Sequence, residues 1–212
     1  MMKMKLNKII LFLIFISILG TLLVYNQLPD TIPKHWNMHG EIDAYGSKSF
    51  IFVLALLPLG MYLLKEFLPK IDPKRQSYTK HAKAFNITMA ATIIFFLLLT
   101  WSTILISLGF NINMGVTIKI FVGILFMIIG NYMSQIRPNY FFGVKTPWTL
   151  ANETVWKKTH RLSGFTFAIG GLILVFTSFL SGVASLYILI GVIAITVLIP
   201  TIYSYMEYKK IS

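Results

Sequence analysis

Two histidines four residues apart, His35 and His39, stand in a polar segment with Asp30, Glu41 and Asp43 close by. Imidazole and carboxylate are the donor types that hold zinc, and an i, i+4 histidine pair on a helix would bring both rings to one face. The glutamate that a hydrolytic zinc motif places between such histidines is missing, because Trp36, Asn37 and Met38 intervene. Pro33 before the pair and Gly40 after it also oppose a regular helix. Three readings stay open: hydrogen bonding within the loop, contact with an external ligand through Trp36, Tyr45 and the charged groups, and metal binding by His35 and His39. No metal is assigned, and no cofactor is expected.

A second chemistry-bearing segment runs from Asn139 to Arg161 and contains Gly143-Val144-Lys145-Thr146-Pro147-Trp148-Thr149-Leu150. Thr149 or Asn152 is placed to cap a short helix whose Val155, Trp156 and Thr159 face one way and which feeds directly into the fifth span. Trp148 and Trp156 suit a membrane interface, where an indole buries its ring and keeps its N–H wet, and Lys157, Lys158 and Arg161 suit anionic headgroups. The alternative is a surface that docks a partner. Lys119 is the single charge well inside an apolar run; its stem is long enough to reach the interface.

The elements that position these residues follow from composition. The chain of 212 residues is 56% hydrophobic and only 12% charged, about half the charge of an ordinary globular domain. Its mean hydropathy is +0.74. Apolar runs long enough for a bilayer core of about 30 Å lie at Ile9–Tyr25, Phe50–Leu68, Phe85–Leu108, Val116–Met133, Phe165–Leu180 and Leu186–Tyr205. An all-α, six-helix membrane bundle is expected, with an ordered loop after the first helix. The parts are 1–68, two helices with the signature loop 26–49, and 69–212, four helices with the motif loop 134–163. The first run lacks a small-x-small cleavage site, so it reads as an uncleaved span.

Net charge is +12, yet the basic residues flank apolar runs and do not line a soluble face, so direct nucleic-acid binding is not expected. Of the 19 Lys and Arg residues, all but Lys34, Lys48 and Lys119 belong to one side of the six-span plan. Cytoplasmic segments retain positive charge, which predicts both termini and the 134–163 loop in the cytoplasm and the His35 loop outside. The Gly164-x-x-x-Ala168 and Gly170-Gly171 pattern predicts close helix packing, and Pro58 and Pro200 fall inside spans. There is no cysteine, which excludes disulfides and thiolate metal sites.

The two segments together resemble the SdpI immunity proteins of bacteria. Leu28-Pro29-Asp30, Ile32-Pro33-x-His35-Trp36, Gly40 and Gly46-Ser47-Lys48 are similar to that family's external signature. Gly143 to Leu150, followed by Glu153-Thr154-Val155-Trp156, is similar to its G-[IL]-R-T-P-W-T-L motif, with Lys145 where the family usually has arginine. The resemblance implies a non-enzymatic protein of the bacterial cell membrane, embedded in lipid, that protects against a secreted membrane-acting peptide toxin. In one branch it also implies holding a small winged-helix repressor at the membrane. The corresponding assignments are Asp30, His35, Trp36, His39, Glu41, Asp43 and Tyr45 toward the toxin. Lys145, Thr146, Pro147, Trp148, Thr149, Asn152, Glu153, Trp156 and Arg161 then face a partner or lipid. A small transporter and a metal-assisted hydrolase using the external histidines are the alternatives.

Overall fold

Apolar backbone in lipid has to satisfy its own hydrogen bonds, and a single segment does so as a helix. The computed structural model describes residues 2–211, with side chains from 6 to 211; the side chains of Lys3 and Lys5 in the basic N-terminus lie outside the described residues. Eight α-helices occur among the described residues: α1 (Met2–Val24), α2 (Phe50–Ile71), α3 (Ser77–Lys80), α4 (Ala82–Ser107), α5 (Met114–Met133), α6 (Pro147–Ala151), α7 (Glu153–Phe176) and α8 (Gly182–Lys209). All except the short α3 and α6 are long and apolar enough to cross a membrane. Their outward faces carry large apolar groups such as Phe12, Phe165 and Phe176, as lipid contact requires.

The capped helix expected after Asn152 and the fifth apolar run form one continuous helix. It begins at Glu153 and ends at Phe176, in place of Phe165–Leu180. The Asn152 side chain accepts from the N–H groups of Thr154 and Val155 at 2.8 and 3.1 Å, which starts the helix inside the polar segment.

The loop after α1 is ordered, as expected, and its order is that of a two-stranded antiparallel hairpin, β1 (Thr31–Trp36) and β2 (Ile42–Ser47). Thr31 pairs with Ser47, Pro33 with Tyr45 and Trp36 with Ile42, and the register slips around Lys34 and His35. Asn37 builds the turn: its side-chain oxygen accepts from the N–H of His39 (2.8 Å) and of Glu41 (3.1 Å). Gly40 completes it at φ +80°, a conformation that favours glycine.

The helices form two groups. In the first, α1, α2 and α4 pack around Ile10, Ile14, Ala90, Ile93 and Leu97, and the hairpin seats Leu28 and Ile32 on Ile51 and Ile104. In the second, α5, α7 and α8 pack, and α5 touches α7 almost backbone to backbone. A Cβ built on Gly130 would fall 2.6 Å from the Ala168 nitrogen, and Gly171 lies against Gly123. The small residues of α7 therefore serve packing inside the chain. Pro58 and Pro200 are buried inside α2 and α8, which continue through them. Contact between α4 and α5 joins the two groups.

Candidate functional site

At the hairpin end, the chain encloses a cavity of about 690 Å³ between the two helix groups. The strands place His35 and Trp36, and the turn places His39, along its roof. The hairpin tip reaches across the gap: Gly40 lies on Asn113 and Gly115 at the start of α5, and His39 lies beside Gly182 at the start of α8. His35 Nδ1 and the Asp43 carboxylate are 2.6 Å apart, both exposed, and Lys48 pairs with Asp30 at 3.2 Å. The Asn37 side chain donates to Glu41 at 3.1 Å. Tyr45 is exposed. The seven residues assigned to this loop therefore lie on or beside one hairpin, and His35, Trp36, His39 and Asp43 border the cavity, whereas Asp30, Glu41 and Tyr45 stand outside its lining. His35 is engaged by Asp43, and no group of three donor side chains that could hold a metal occurs among the described residues.

Lys119 reaches the turn that joins α7 to α8 and is buried there. It is 5% exposed, and its ammonium donates to Ser185 Oγ (2.8 Å), to the Leu180 carbonyl and, at 3.4 Å, to the Thr177 carbonyl. The end of α7 leaves carbonyls without helical partners, and a buried cation can satisfy them. Lys65, Asp72 and Glu207 are also buried, near the opposite end. Lys65 bonds Asn7 and Glu66, each at 2.8 Å, and Glu207 lies between Lys158 and Lys210.

At that opposite, basic end the glycine-to-leucine motif is a latch. Gly143 adopts φ +108°, and a side chain there would strike the His160 ring. The Val144 N–H donates to His160 Nε2 at 3.0 Å, which leaves Nδ1 as the nitrogen that donates to the Trp156 carbonyl at 2.9 Å. Thr146 and Thr149 cap α6 reciprocally, and Thr146 Oγ reaches Ser204 Oγ of α8 at 3.0 Å. Trp148 packs on Tyr205. Trp156 is fully buried, stacked on His160 with ring centroids 4.1 Å apart, and its indole N–H donates to the Ile136 carbonyl at 2.8 Å. It does not sit at a wet interface, because the loop before α6 folds over it. Lys145, Pro147, Glu153 and Arg161 remain exposed, with Glu153 paired to Lys157 at 3.0 Å.

Beside the latch lies a buried polar cluster that sequence reasoning missed. Asp72 accepts from the N–H of Lys74 (2.7 Å), the N–H of Tyr140 (2.9 Å) and the hydroxyl of Tyr78 (3.0 Å). Asn139 folds its own loop by accepting from Phe142 and donating to the Arg137 and Phe142 carbonyls. Burial and the Asp72 carboxylate push the Tyr78 hydroxyl up, so it stays protonated as the donor. The one available signal was a lone aspartate in an otherwise basic connection.

His81 accepts from the Arg137 N–H at 3.1 Å and is 3% exposed. Burial, helped by the Arg137 guanidinium and opposed by Asp72, lowers its pKa from 6.5 to about 4. The unfolded chain binds the extra proton between those values, so stability falls as pH drops from 6.5 toward 4. Thermal unfolding in detergent at stepped pH should show this slope, and His81→Asn, which keeps an acceptor, should make it shallower. An unchanged slope would refute the assignment to His81.

Comparison with known proteins follows the same two segments. Residues 135–204, covering α6, α7 and most of α8, match the model of the SdpI/YfhL protein family. Residues 12–59, covering most of α1, the hairpin and the start of α2, match a domain of unknown function (DUF1648). The Immunity protein SdpI of Bacillus subtilis (strain 168) is 31% identical over 209 residues, spanning 99% of each chain. No solved structure matches significantly. With similarity over nearly its whole length and the family model on its latch segment, this six-span membrane chain belongs to the SdpI/YfhL protein family.

Proposed function

We propose that this chain is an immunity protein of the bacterial cell membrane that receives a secreted, membrane-acting peptide at the hairpin end. The observation that carries the reading is the cavity roofed by the hairpin, apolar within and bordered by His35, Trp36, His39 and Asp43. In this reading the hairpin is outside and both termini are cytoplasmic, which the distribution of Lys and Arg supports. Trp36 and the apolar walls supply contact area, while Asp30, Glu41, Asp43 and the exposed Tyr45 meet a cationic peptide first. In this reading it is not an enzyme: His35 pairs with Asp43, Asn37 with Glu41 and Lys48 with Asp30.

The absence of native cysteine makes a direct test available. Tyr45→Cys in intact cells should react with a membrane-impermeant maleimide, Lys145→Cys should react only after lysis, and a killing peptide of the Sdp type should slow labelling at position 45. Labelling of Lys145→Cys in intact cells would reverse the topology. Labelling at position 45 unaffected by the peptide would contradict binding at the hairpin.

A second role is supported by the exposure of Lys145, Pro147 and Arg161 around an otherwise packed latch. That surface suits a cytoplasmic partner such as a small winged-helix repressor, held more or less tightly as the hairpin end is occupied.

A further inference from the structure

The cavity under the hairpin holds a charge that no side chain neutralises. The Lys119 ammonium lines it, and the acceptors of its hydrogen bonds are two carbonyls and a hydroxyl, all uncharged. The single acidic residue in the lining, Asp43, is on the roof and already paired with His35. Among the described residues no carboxylate lies within ion-pairing distance of Lys119. A cation removed from water without a counter-ion is costly to maintain, and beside an apolar cavity such a group is a natural partner for an anionic ligand.

The surroundings of Lys119 suit the other half of an amphiphile. Leu54, Leu99, Ile118, Leu186 and Leu189 supply apolar walls. The two helices α2 and α8 line the cavity through Leu54 and through Leu186 and Leu189 and make at most marginal contact with each other, which leaves a gap between them for an apolar chain. The ammonium is level with the turn between α7 and α8, at the same end as the hairpin, which sets a charged head toward the surface and leaves the apolar chain to run along the walls.

We propose that this cavity binds a ligand whose apolar chain ends in a single carboxylate, held by the Lys119 ammonium and the Ser185 hydroxyl. Ser185 is the group that can adapt. A hydroxyl donates as well as accepts, so on ligand entry it turns its O–H to one carboxylate oxygen and frees one Lys119 N–H for the other. The bonds from Lys119 to the ends of α7 are kept. A volume of about 690 Å³ accommodates a long acyl chain or the last few residues of an apolar peptide, both of which end in this chemistry. The cavity and its cation stand whether or not the peptide-immunity reading holds.

Trp36 in the lining provides the readout. Dibrominated stearic acid and its methyl ester are titrated into purified protein in detergent. The difference in quenching between the full chain and Trp36→Phe isolates the cavity signal. The acid should act at a concentration at least about tenfold below the ester, the size of one charge-assisted hydrogen-bond pair. Lys119→Met should erase that preference, Lys119→Arg should retain it, and Ser185→Ala should reduce it. If Lys119→Met fails to fold, the acid–ester comparison and Ser185→Ala decide. A tetrapeptide of Leu and Phe, offered as the free acid and as the amide, distinguishes the sources. Displacement by the acid alone extends the site to peptide C-termini, and lack of displacement confines it to acyl chains. Equal quenching by acid and ester, or a folded Lys119→Met that keeps the preference, would overturn the proposal.

Discussion

Replacing Trp156 with alanine is expected to destabilise the chain by about 3–5 kcal/mol. Thermal unfolding in detergent should register this as a drop of roughly 6–20 °C. The indole is fully buried and packs with Met133 and Ile136. It also fills the space over His160 and satisfies the Ile136 carbonyl. Its removal leaves a cavity, an unpaired acceptor, and a histidine without its stacking partner, and these costs fall on one site. Lys145→Ala is the contrast: its side chain is exposed and bonds only the Phe141 carbonyl, at 3.2 Å, so its loss should change the unfolding temperature little. A Trp156→Ala chain as stable as the parent would mean that the motif is a free surface and not a latch.

An equally large loss is expected from Gly130→Leu. Even a Cβ at this position meets the Ala168 nitrogen at 2.6 Å and the Gly164 carbonyl at 2.7 Å, so α5 and α7 would have to separate along their length. Rotamer adjustment cannot relieve a clash with backbone, unlike one with a flexible side chain. The change should remove the folded, monodisperse species from detergent extracts and expose the α5–α7 connection to protease. Gly191→Leu serves as control, since a Cβ there meets nothing within 4 Å. Normal extraction of Gly130→Leu would show that the two helices do not pack as closely as described.

Much of this fold was legible because lipid imposes one constraint on every span: about 20 apolar residues whose backbone bonds are internal. The six runs and the small-residue packing of α7 follow from that, and the order of the loop after α1 was legible in its prolines and glycines. The hairpin was not legible as strands, since its pattern is interrupted by Pro33 and by the register slip at His35, and the turn depends on one asparagine side chain. The Asn152 cap was legible, but the apolar run alone left out the polar first turns of α7, whose buried members Thr159, His160 and Ser163 face protein and not lipid. The destination of Lys119 was hidden for a related reason. Its acceptors belong to the end of α7 and the start of α8, about sixty residues away, and spacing along one helix carries no trace of them. Asp72 and Asn139, which tie two connections together, share that property.

The central claim, that the hairpin end confers immunity to a membrane-acting peptide, is tested most directly by survival. A sensitive bacterial strain expressing this chain is challenged with a killing peptide of the Sdp type, beside strains expressing His35→Ala/His39→Ala and Lys145→Ala. The account predicts protection by the unaltered chain and by Lys145→Ala, and loss of protection in the double histidine variant at equal membrane expression. Unaltered chain that reaches the membrane and gives no protection would contradict it, as would a double variant that protects fully.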